Sequence, residues 1–132
     1  MITVTFHNVS YEEELRLPEA DGSVVSISIE GHAVPGLFNE PGPAESIVTG
    51  KGENIICAAV SFAGFNLIRS LTIVAGIRPD YSIESGSMRL SIETAGIDEK
   101  QLAIVRVLVE SFIIGVLDIE RKYKDFITIT IY

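Results

Sequence analysis

The chain has 132 residues, 47% of them apolar, which is enough for one domain with its own core and too little for two. Its formal charge is −8, and Arg69, Arg78, Arg89, Arg106, Arg121, Lys122 and Lys124 are scattered, so no basic stripe for direct nucleic-acid binding is present. A single cysteine excludes an intrachain disulfide and fits a reducing, cytoplasmic setting.

The first segment alternates. Ile2, Val4 and Phe6 share one face and Thr3, Thr5 and His7 the other, which reads as a half-buried strand and not as a signal peptide. Residues 8–21 are acidic and irregular. Tyr11, Leu15 and Leu17 fit a hairpin arm, and Ser10 with Glu13 fits one helical turn; the residues do not choose between them. After a turn at Gly22, Ser23 to Glu30 alternates again and is expected to pair antiparallel with the first strand. Gly31 to Gly52 then holds three prolines and five glycines, the density of a long loop, here bounded as 33–53.

Two apolar stretches follow, Ile55 to Ala75 and Leu102 to Ile119. A membrane span takes about 20 apolar residues with few or no charges. Asn66 and Arg69 break the first, and Arg106, Glu110 and Asp118 break the second. No membrane span is expected, and both read as helices packed on a sheet. Asn54 is placed to cap the first helix, and Gly76 to close it in the left-handed conformation, with Pro79 preventing continuation. Tyr81 to Glu84 and Ser87 to Glu93 form a hairpin around Ser85 and Gly86. Asp98 caps the second helix with Gln101 completing a capping box, and Phe126 to Tyr132 is a last alternating strand.

The order β-β-α-β-β-α-β predicts a single α+β domain over residues 1–132, its largely antiparallel sheet carrying two long helices on one face. The second helix is apolar around most of its girth. A helix on one sheet face needs only a stripe, so the extra apolar surface must meet the other helix or another subunit, and a homodimer is expected.

Cys57 falls just after the expected helix start. First-turn N–H groups and the positive end of the helix dipole stabilise a thiolate and can hold an oxyanion there. The same Cys within Ile56-Cys57-Ala58 also fits a small buried hydrophobe. His32 follows a strand end through Gly31, which permits a sharp turn; it fits either a base held by the strand or an exposed loop histidine. His7 lies on the polar face of the first strand and is a poor candidate. Ser61 lies one turn after Cys57 and either touches the thiol or fills the packing. Two histidines and one cysteine do not make a zinc site, and no phosphate-cradling loop, dinucleotide fingerprint or nucleophile-elbow serine occurs, so neither a metal nor a cofactor is expected.

Gly31-His32-Ala33, followed after a Gly-rich loop by Asn54-Ile55-Ile56-Cys57-Ala58-Ala59-Val60-Ser61, resembles the ribosomal-processing cysteine protease (Prp) family, and the element order matches over nearly the whole chain. The resemblance implies a small α+β homodimer that trims the N-terminal extension of a basic large-subunit ribosomal protein without a cofactor. It implies Cys57 as nucleophile and His32 as base, with Gly31, Asn54 and Ser61 in support. Two features depart from the family pattern: the loop between His32 and Cys57 is longer, and Asn54 stands where Asp is usual. These motivate the alternative of a non-catalytic dimer on the same scaffold, a peptide-binding or ribosome-assembly module.

Overall fold

The computed structural model describes residues 2–11, 15–16, 24–31, 51–84 and 86–132, with 15–16 and 51–54 described in backbone alone. His32, the turn expected at Gly22 and loop residues 33–50 lie outside the described residues. In chain order the elements are β1 (Ile2–His7), β2 (Ser10–Tyr11), β3 (Leu15–Arg16), β4 (Val24–Glu30), α1 (Lys51–Ile73), β5 (Asp80–Glu84), β6 (Ser87–Glu93), α2 (Glu99–Lys122) and β7 (Ile127–Ile131). The segment that the residues left open is a hairpin, with Ser10 opposite Arg16 and Tyr11 opposite Leu15.

The main sheet runs β5-β6-β4-β1-β7. Pairing is antiparallel except at β1 and β7, which are parallel with Ile2 opposite Ile127. Each helix is a crossover between parallel strands, α1 from β4 over β6 to β5 and α2 from β6 over β4 and β1 to β7. The crossovers leave antiparallel strands and travel in opposite directions. The right-handed rule therefore lays both helices on the same face. Burial follows: Val4, Phe6, Ile27 and Leu90 are buried, while Thr5, Ser26, Ser28 and Arg89 between them face outward.

The edges of this core are locked by specific contacts. Phe6 of β1 meets Phe112 of α2 edge-to-face, with ring centroids 5.9 Å apart. Asn8 ends β1 in the left-handed region (φ 61°), and its side-chain amide donates to the Val24 carbonyl at 2.8 Å. At the open edge of β7, the Ile129 N–H donates to the Glu120 carboxylate of α2 at 3.0 Å. That carboxylate occupies a donor that would otherwise be offered to an incoming strand.

Both helix ends near residue 100 share one side chain. Asp98 caps α2 as expected and accepts from the Gln101 N–H at 2.7 Å, while the Gln101 side-chain oxygen accepts from the Asp98 N–H at 3.3 Å. The Gln101 amide nitrogen also donates to the carbonyls of Ala75 and Gly76 at 3.4 Å, where α1 turns through Gly76 at φ 70°. One residue thus closes the end of α1 and the start of α2.

The start of α1 corrects the sequence-based expectation. The helix begins at Lys51, so Asn54 lies inside it and not at its cap. An Asn cap contributes only about 1 kcal/mol, so the helix does not depend on one at residue 54.

Replacing Gln101 by Ala is expected to lower unfolding free energy by about 1–2 kcal/mol. Gln101→Glu keeps the acceptor for Asp98 but not the amide donor, and should lose a smaller part. Urea denaturation at neutral pH reads both.

Candidate active site

Cys57 is the seventh residue of α1 and is 1% exposed. It lies on the sheet-facing stripe with Val60, Ser61, Leu67, Ile68 and Leu71, all buried. This stripe explains why a helix apolar enough in length and composition to cross a membrane packs here on a sheet instead. Three of its members, Cys57, Ser61 and Gly64, are small, which lets the helix axis come close to the strands. At Gly64 the approach is tightest: a Cβ there would stand 2.5 Å from the Met88 methyl and 2.7 Å from Ile29 Cδ1.

Close packing leaves a small notch around the thiol. It is lined by Cys57, Val60 and Ser61 from α1, by Ile2, by Ile29, Glu30 and Gly31 at the end of β4, and by the β5–β6 hairpin at Glu84 and Gly86–Met88. Its volume of about 20 Å³ admits little more than one water molecule. Glu30 contributes to the wall at the end of β4, while its carboxylate pairs with Arg89 at 3.0 Å on the outer face of the sheet.

The position of Cys57 also changes the expected source of reactivity. Unsatisfied N–H groups are confined to the first four helical residues, and the dipole effect fades within the first turn. At the seventh position neither activates the thiol, and the backbone N–H is engaged within the helix instead of waiting for an oxyanion.

Of the two histidines in the chain, His7 is on the wrong face and at the wrong end. It stacks on Tyr132 with centroids 4.8 Å apart. Ile2 lines the notch, and five residues of strand put His7 roughly 16 Å farther along. Gly31, by contrast, is part of the notch wall, and His32 is its covalent neighbour. Ser61 lines the same notch one helical turn beyond Cys57, so these two are brought together. Asn54 stands in the turn before Cys57, described in backbone alone.

Gly86 is the residue that sequence reasoning missed. Its place after Ser85 marked it only as a turn. In the structure it forms the wall opposite α1, with its carbonyl accepting from the Gly31 N–H at 2.9 Å.

Residues 14–128 match the family model described as cysteine protease Prp. The chain belongs to the Prp family. It is therefore a cysteine protease. The ribosomal processing cysteine protease Prp of Bacillus subtilis is 28% identical over 111 residues, covering 83% of this chain and 88% of that protein. Among solved structures, SMU.848 from Streptococcus mutans is similar with a TM-score of 0.66 at 25% identity, over 99% of this chain and 96% of that one. The Prp protease of Staphylococcus aureus, crystallised with a covalently linked product peptide, shares the fold with a TM-score of 0.63 at 19% identity over the whole of both chains.

Gly64→Ala should destabilise the fold by about 1–3 kcal/mol, because the added methyl must displace Met88 and Ile29. Both are notch residues, so the loss is to be measured by denaturation alongside the reactivity of Cys57 toward iodoacetamide.

Proposed function

We propose that the chain is an endopeptidase that removes the N-terminal extension of a basic large-subunit ribosomal protein, with Cys57 as nucleophile and His32 as general base. The observation that carries this reading is that the sole cysteine and Gly31, the residue bonded to His32, line one notch. The Prp family membership and the ribosomal processing role of the B. subtilis relative support the substrate class.

In this mechanism His32 takes the proton from the Cys57 thiol as the sulfur attacks the scissile carbonyl carbon. The resulting imidazolium gives that proton to the leaving amine as the C–N bond breaks. A water molecule, deprotonated by His32, then attacks the thioester. The new carboxylic acid leaves, and the sulfur recovers the proton. The charge of −8 favours approach of a basic substrate at low salt. The outer face of α1 leaves Ile55 69% and Phe62 65% exposed, and we assign it to contact with a second copy of the chain. More apolar surface is uncovered there than on α2, where Val107 and Ile114 are exposed.

The test is incubation with the cognate ribosomal protein carrying its extension, read by mass spectrometry. Wild type should release one N-terminal fragment. Cys57→Ala should release none, and His32→Ala should lower kcat/KM by about 10²- to 10⁴-fold. An uncut substrate, or cutting by the Cys57 variant, would overturn the reading.

A further inference from the structure

We infer that Gly86 is a positioning residue of this site, holding the exit of β4 in place beside Cys57 through its backbone contact with Gly31. The inference rests on the reading just given and names a part of the same site. Gly31 leaves the sheet at φ 136° and Gly86 turns the hairpin at φ 79°, so both have a backbone that side-chain-bearing residues rarely adopt. The Gly31 N–H donates to the Gly86 carbonyl at 2.9 Å. In return the Gly31 carbonyl lies so close that a Cβ on Gly86 would stand 2.7 Å from its oxygen. The two peptides grip each other at the mouth of the notch that holds Cys57.

This contact differs from the other close approach in the fold. At Gly64 the atoms in the way are the ends of flexible side chains, which can rotate aside. At Gly86 the obstacle is main chain, and it moves only if the end of β4 moves. Register confirms that the grip is at the end of the ladder: Glu30 opposite Ser87 is the last β4–β6 pair, and Gly31 to Gly86 continues it by one residue. Beyond Gly31 the chain passes directly to His32. A side chain at Gly86 would therefore shift the point from which the proposed base departs.

Gly96 supplies the control. It has the same φ of 79°, sits in the turn before α2, and a Cβ there would meet nothing within 4 Å. Gly96→Ala thus carries the backbone strain of Gly86→Ala without the collision. Gly86→Asn is the second variant, since Asn tolerates the left-handed region while still presenting a Cβ.

The experiment compares wild type, Gly86→Ala, Gly86→Asn and Gly96→Ala by the pH profile of Cys57 alkylation with iodoacetamide and by cleavage of the ribosomal-protein substrate. Both Gly86 variants should move the alkylation midpoint toward the unperturbed value of about 8.5 and should lower kcat by about 10²-fold, with KM changed far less. Gly96→Ala should match wild type in both readouts. A folded Gly86 variant whose alkylation profile is that of Gly96→Ala overturns the inference, whatever the substrate result. If wild type leaves the substrate uncut, the proposed function fails, and the alkylation comparison still decides the role of Gly86.

Discussion

The depth at which α1 rests on the sheet governs the rest of this molecule. Gly64 has no side chain where the Met88 methyl and Ile29 Cδ1 stand, and Cys57 and Ser61 extend the same small-residue face toward the helix start. A helix lying this low presses its first turns against the ends of β4 and β6. What remains between them is a notch of about one water volume, with the only thiol of the chain in its wall. Larger residues on that face would lift the helix and open the notch into a cavity, as close-packed interiors do not absorb added volume without displacement.

The wall facing the helix is made mainly of backbone. Strand register brings Glu30 opposite Ser87, and the glycines one step farther complete the wall with a hydrogen bond. Main-chain geometry of this kind survives wide changes in side chains, which accords with a shared fold at 19% identity to the staphylococcal protease. With α1 starting at Lys51, the helix end is too far from Cys57 to activate it.

Much of the fold was legible because its rules are local. Two-residue alternation located β1, β4, β6 and β7 to within about a residue or two. Asp98 with Gln101 marked the start of α2, and Gly76 marked the turn after α1. Of the candidate site, Cys57, Ser61 and Gly31 do line one notch. Legibility failed where neighbours distant in sequence decide. The cap at Asn54 was misplaced because Lys51 to Glu53 are compatible with either loop or helix, and continuation of α1 chose helix. Ser10 to Arg16 stayed open because a two-residue strand pair has too little periodicity to read.

By itself the sequence determined the elements, the capping box, the absence of any disulfide within the chain and, through the paired Gly-His-Ala and Cys-Ala-Ala-Val-Ser motifs, the family. These follow from neighbours within one turn or one pleat of each other, or from motifs read directly along the chain. Only the tertiary structure decided that β7 runs parallel to β1 and that Gly86 stands across the notch from Cys57. Each of these depends on sheet order, which crossover handedness and packing set, and a turn glycine carries no mark of the backbone it will meet 55 residues away at Gly31.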